Sequence, residues 1–150
     1  MTLARWIASG GGIGFCPWAP GTVASLAALL IGAGVMSVGG RWPLLLLVLA
    51  VCPIGVWAVR ASGAEGDPGW IVVDEVAGQW IALLGLGQVS LYGMIVAFVL
   101  FRLLDIVKPG AVGWADRKHG AVGVMADDVV AGGIVAGILW VATGAFPALP

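Results

Sequence analysis

The sequence predicts an all-α, polytopic integral membrane bundle of about five membrane segments, with a site on its cytoplasmic face. Three observations carry this expectation. Hydrophobic residues make up 61% of the 150 and charged residues only 10%, where soluble globular domains are about 25% charged. Mean hydropathy is +1.07. The few charges gather in connections between long uncharged runs, and the densest connection, 102–128, holds four of the eight acids, four of the seven Lys/Arg residues and the only histidine.

One domain, 1–150, fits this length. Seven cations interleaved with acids make no basic stripe, so no nucleic-acid partner is expected. Cys16 and Cys52 lack CxxC spacing and a neighbouring histidine, and read as small buried hydrophobes. The start, MTLARWIASGGG, has too short an apolar run for a cleaved signal peptide.

In chain order, a glycine-rich opening and FCPWAPGT precede a helix over Thr22–Val38, which Thr22 or Ser25 can cap. Gly39-Gly40-Arg41 forms a turn. Trp42–Val59 is the plainest span, 18 residues without a charge, close to the ~20 that cross a hydrocarbon core. Pro53 and Gly55 fall inside it, where a kink is tolerated. RASGAEGDPG, 60–69, is a polar loop.

The uncharged run Val76–Phe101 reads either as one span or as a hairpin turning near Gly85–Ser90, with arms Trp70–Leu86 and Leu91–Val107. The hairpin is preferred because its turn signals are strong and it brings Asp74, Glu75, Arg102 and Asp105 together. Each of these charges costs about 3 kcal/mol in a bilayer if unpaired. The last run, Val129–Pro150, is a Gly/Ala-rich helix in which Gly133 and Gly137 suit close packing. With the N-terminus inside, cytoplasmic stretches carry six of the seven cations and all eight acids, and the outer turns carry Arg41 alone.

Three inner clusters result: 12–25, 65–78, and the stretch holding Arg102, Asp105, Lys108, Asp116, Arg117, Asp127 and Asp128. Arg102, Asp105 and Lys108 share a helix face by their spacing of three. Asp127-Asp128 fits either a helix start, complementing the dipole, or a metal site. Arg102 and Asp105 fit either an intramembrane ion pair or a site. Asp74-Glu75 has no local cation and needs a partner from elsewhere.

Oxygen donors without a His or Cys cluster point to Mg²⁺ or Mn²⁺. Asp74, Glu75, Asp105, Asp127 and Asp128 are the expected metal-holding and catalytic set. Arg102, Lys108 and Arg117 would bind phosphate, helped by Thr22 at the Pro20-Gly21-Thr22 helix start. The plainer alternatives are simple capping by Thr22, solvated loop charges at Glu65 and Asp116, and a bystander role for His119.

Three blocks then carry a resemblance: GIGFCPWAPGTVASL from Gly12 to Leu26; IVVDEVAGQWIAL from Ile71 to Leu83; and FRLLDIVKPGAVGWADR with GVMADDVVAG, Phe101–Arg117 and Gly123–Gly132. In this order they resemble the phosphatidylglycerophosphatase A family of bacterial inner-membrane phosphatases. The resemblance implies Mg²⁺-dependent hydrolysis of the phosphomonoester of phosphatidylglycerophosphate, a lipid substrate, giving phosphatidylglycerol and phosphate. The family's charged positions fall on the residues just named, with Asp116. Ala24 stands where the family often has glycine, Cys16 for a common serine and Ala121 for a common glycine; none removes a charge.

Other phosphatase chemistries lack their parts: no DxDx[TV], no second histidine, no Cys-x5-Arg loop. Attack by a metal-activated water or by a covalent Asp remains. A small divalent-cation channel or transporter subunit is the competing expectation, and a headgroup phosphotransferase lacks DGxxAR.

Overall fold

The structure, a computed structural model, describes residues 1–145, and among these the regular elements are all helical. They are α1 (Leu3–Ala8), α2 (Pro20–Gly39), α3 (Arg41–Ala61), α4 (Val73–Leu83), α5 (Leu91–Val107), α6 (Gly110–Asp116) and α7 (Gly120–Ala145), with a short 3-10 turn at Ile13–Phe15. Residues 146–150 of the expected last run lie outside the described residues.

Three helices, α2, α3 and α7, are long and apolar enough to cross a membrane. The hairpin arrangement is observed: α4 and α5 are separated at 84–90. Its arms are unequal, however. Leu91–Val107 is helical as expected, whereas the arm expected over Trp70–Leu86 is helix only over Val73–Leu83, about 16 Å at 1.5 Å per residue. It is capped at Leu84, and the next residue, Gly85, lies so close to Ala136 of α7 that a β-carbon would meet that residue's backbone.

The short α4 is the hub, packed against α2, α3, α5 and α7. Val73, Asp74, Ala77, Gly78, Gln79, Ala82 and Leu83 are buried along it. Glycine makes the tightest approach possible. A β-carbon on Gly78 would lie 2.7 Å from the Asp128 carbonyl oxygen, and one on Gly132 would strike the backbone of Gly78. The Gly133 and Gly137 expected to pack have nothing within 4 Å of that position. Gly132, one residue earlier, faces α4 instead. Trp80 on the other side of α4 donates its indole N–H to the Ala28 carbonyl of α2 at 2.9 Å.

Two further expectations change. Neither Thr22 nor Ser25 caps α2; its N-cap is Ala19, with Pro20 opening the helix. Asp127-Asp128 does not start the last helix, which begins at Gly120 and continues through both acids. Two turns in, they no longer sit where the helix dipole rewards an acid.

The outer surface is apolar. On α5, Leu91, Ile95, Val99, Leu103 and Ile106 form an exposed stripe at helical spacing, and Trp42, Leu46, Leu49 and Trp57 are exposed on α3. Patches of this extent are not left to water on a monomeric soluble protein. Direction matters as much: α2, α4 and α7 begin, and α3 and α5 end, at one end of the bundle. Arg41, the first residue of α3, lies at the other.

Candidate active site

At the end where these five helices begin or finish lies a cavity of about 390 Å³. The start of α2 forms one wall. Ala19 takes a left-handed conformation (φ 43°), and Pro20 turns the chain into the helix so that Pro20, Gly21 and Thr22 line the space. A β-carbon on Gly21 would overlap the Glu75 carboxylate, so glycine is what lets that side chain reach the wall.

Asp74 and Glu75 occupy the first turn of α4. The segment leading into that turn is pinned to α1, where the Val72 N–H donates to the Ala8 carbonyl at 2.9 Å. From the end of α5 come Arg102 and Asp105. Arg102 Nη1 lies 2.5 Å from Asp105 and 3.7 Å from Glu75, and it donates to Ser25 Oγ at 3.3 Å. Ser25 in turn donates to the Gly21 carbonyl at 2.8 Å.

Lys108, left-handed at φ 50°, ends α5. Its amine pairs with Asp127 at 2.6 Å and with Asp116. Burial works against its charge, but the hydrogen bonds it donates to Asp116 and Asp127 outweigh it and raise its pKa. One cation thereby ties the end of α5 to α6 and α7.

Asp127 and Asp128 are consecutive on α7 and so point about 100° apart. Asp127 turns toward Lys108 and Asp128 toward α4. The result is two groups of carboxylate oxygens lying within 4.8 Å of one another: Asp74, Glu75 and Asp128, and Asp105, Asp127 and Asp128. Asp74 Oδ1, Glu75 Oε2, Asp127 Oδ1 and Asp128 Oδ1 are buried without a hydrogen-bond partner. An unsatisfied buried polar atom costs about 1–3 kcal/mol, more when charged. Four converging in one place, all hard oxygen donors, fit a hard divalent cation such as Mg²⁺.

The structure thus places eight of the nine expected residues together: Asp74, Glu75, Asp105, Asp127, Asp128, Arg102, Lys108 and Thr22. Arg117, exposed at the end of α6, is absent from the cavity wall. His119 lines a smaller cavity of about 200 Å³ next door, with Lys118 and Asp116. Glu65 is exposed. Cys16 and Cys52 are free and half-buried.

Asp67 escaped the sequence reading. It is exposed at the rim yet lines both cavities, where partial desolvation, followed by the nearby Asp127 charge, raises its pKa above the ordinary carboxylate value. Its DPG setting reads as a solvated turn, so no local signal marks it. Ser25, which its position near a helix start marks only as a cap, instead accepts from Arg102. Gln79, fully buried with neither amide atom partnered, is signalled only by being the one polar residue in VAGQWIALL.

A family model described as Phosphatidylglycerophosphatase A matches residues 6–143. The chain is 39% identical over 138 residues to a protein of Escherichia coli named phosphatidylglycerophosphatase A, covering 89% of this chain and 80% of that protein. A Haemophilus influenzae protein of the same name is 35% identical, over 83% of this chain and 79% of its own. A Bacteroides thetaiotaomicron protein named putative phosphatidylinositol-3-phosphatase is 40% identical, over 84% of each. No solved structure matches significantly.

Proposed function

The chain belongs to the phosphatidylglycerophosphatase A family, and from that premise we propose that it is a membrane-embedded, Mg²⁺-dependent phosphatase that hydrolyses the phosphomonoester of phosphatidylglycerophosphate. The observation that carries this is the convergence of five carboxylates from α4, α5 and α7 with Arg102 and Lys108 on one cavity at one end of an apolar bundle. In a bilayer that end lies at headgroup depth, on the cytoplasmic side of a bacterial inner membrane by the positive-inside bias. The exposed stripes of α3 and α5 face acyl chains.

Asp74, Glu75, Asp105, Asp127 and Asp128 are the residues that would hold the cation. When bound, it supplies Lewis acidity toward a phosphate oxygen and toward water. The remaining work belongs to side chains. Arg102, kept in place by Ser25, Glu75 and Asp105, presents its guanidinium to phosphate oxygens. The opening N–H groups of α2, beside Thr22, add donors at the positive end of a 20-residue helix. Lys108 adds a point charge from the opposite wall.

In the reaction, a water oxygen bonds to phosphorus and the ester bond to the glycerol oxygen breaks. A cavity carboxylate takes the proton that the water gives up and passes it to the departing glycerol oxygen, which leaves as the alcohol. Phosphatidylglycerol and inorganic phosphate result.

Phosphate release from phosphatidylglycerophosphate by the detergent-solubilised protein, with and without chelator, tests the proposal. Phosphatidylinositol 3-phosphate and a water-soluble phosphomonoester serve as comparison substrates. Release that depends on added Mg²⁺ and favours the glycerol lipid is expected. Release indifferent to chelator would overturn the cation's role, and preference for the inositol lipid would overturn the substrate.

A further inference from the structure

We propose that this site holds two divalent cations side by side, with Asp128 as their shared ligand. The inference deepens the function above and rests on the site being cation-dependent.

Its first ground is the division of the carboxylates. Asp74 and Glu75, both from α4, group with Asp128; Asp105 from α5 and Asp127 group with Asp128 as well. Asp128 alone belongs to both. It is also the most deeply buried of these acids, 2% exposed, and its Oδ1 has no partner. Each group contains further orphaned oxygens: Asp74 Oδ1 and Glu75 Oε2 in the first, Asp127 Oδ1 in the second. Mg²⁺ ordinarily takes only one or two protein carboxylates and fills its remaining positions with water and phosphate. Five acids with unmet oxygens in both groups exceed what one such ion uses.

Charge is the second ground. The cavity wall carries five acids, Asp67 among them, against Arg102 and Lys108, and Asp128 lies beneath. Six carboxylates and two cations leave four formal negative charges where a phosphate dianion must enter. One divalent cation halves that surplus and two cancel it. At low effective dielectric, like charges a few ångströms apart repel strongly, so the second cation decides whether the substrate is attracted. Two adjacent cations also suit phosphoryl chemistry, one neutralising the attacking and the other the leaving oxygen.

The test counts Mn²⁺ bound to the full chain in detergent by equilibrium dialysis, with electron paramagnetic resonance reporting whether bound ions are spin-coupled. Two Mn²⁺ per chain with a coupled spectrum are expected. Asp74→Asn and Asp105→Asn should each lose one ion and give an uncoupled signal, and Asp128→Asn should weaken both. The first two variants carry the test if Asp128→Asn fails to give a monodisperse protein. One Mn²⁺ per wild-type chain overturns the pair while leaving a single-cation phosphatase standing. No bound Mn²⁺ overturns both.

Discussion

Gly78 of α4 lies flush against Asp128 of α7: a β-carbon there would sit 2.7 Å from the Asp128 carbonyl oxygen and as close to the Phe101 ring. That contact sets the distance between the Asp74-Glu75 pair and the Asp128 carboxylate. Backbone cannot yield as a flexible side chain would. Gly78→Ala should therefore push the two helices apart, costing about 1–3 kcal/mol. Thermal unfolding in detergent would register the loss, and Mg²⁺-dependent turnover should fall with it. Unchanged stability and turnover would show that α4 and α7 have slack at this crossing.

Glu75→Gln keeps shape and removes a charge. If Glu75 serves the chemistry, turnover should drop by about 10²–10⁴-fold while the unfolding temperature holds or rises, because a buried carboxylate with an unpartnered oxygen has been neutralised. Comparable losses in both would mark Glu75 as structural.

Arg102 has a different signature. Arg102→Ala strands Glu75 and Asp105, each only 14% exposed. Breaking a buried pair from one side costs about 3–5 kcal/mol when burial is complete, and somewhat less here. Adding Asp105→Asn should recover part of the stability but none of the activity. A double variant no more stable than the single one would show that the pair contributes little.

Asp67 gives a pH signature in metal-free protein. Its pKa is raised in the folded state by partial desolvation in the cavity and by Asp127, an effect that solvent screening keeps small because the side chain is exposed. It therefore favours folding when protonated, and that contribution is lost as pH rises from the ordinary carboxylate range through the raised value. Asp67→Asn should unfold at a higher temperature than wild type at pH 7, the gap closing as pH falls toward 4. A gap that widens on acidification would contradict the sign.

Topology can be read with thiol labels after Cys16 and Cys52 are replaced. Glu65→Cys and Lys118→Cys should react from the same side of sealed membranes, and Gln88→Cys from the other. Gln88 reacting with the first two would remove the α4–α5 hairpin's role in crossing.

The parts of the fold legible in the sequence were those fixed by charge-free length. Trp42–Val59 became Arg41–Ala61 and Leu91–Val107 appeared as such, because a long apolar run bounded by charges has little alternative. The short α1 and α6 carry no such signal. The start of α7 was misplaced because Asp127-Asp128 resembles a helix opening. What keeps these acids inside a helix is tertiary: Lys108 on one and α4 against the other. Gly132 was missed for Gly133 because composition does not reveal which way a helix is turned. Most of the site was legible for the opposite reason, since charge in an apolar chain needs a purpose. Asp67 hid in a loop where charge needs none.

Lys108 bends the chain at the end of α5 and holds Asp116 and Asp127 with one amine. Such an arrangement behaves as a rivet: one amine joins α6 to α7 at the rim, while the fully buried Val112 and Ala115 seat α6 against the bundle beneath it. Removing the amine would leave two acids facing each other at the rim without their common counter-charge, while the apolar seat of α6 keeps the helix in place.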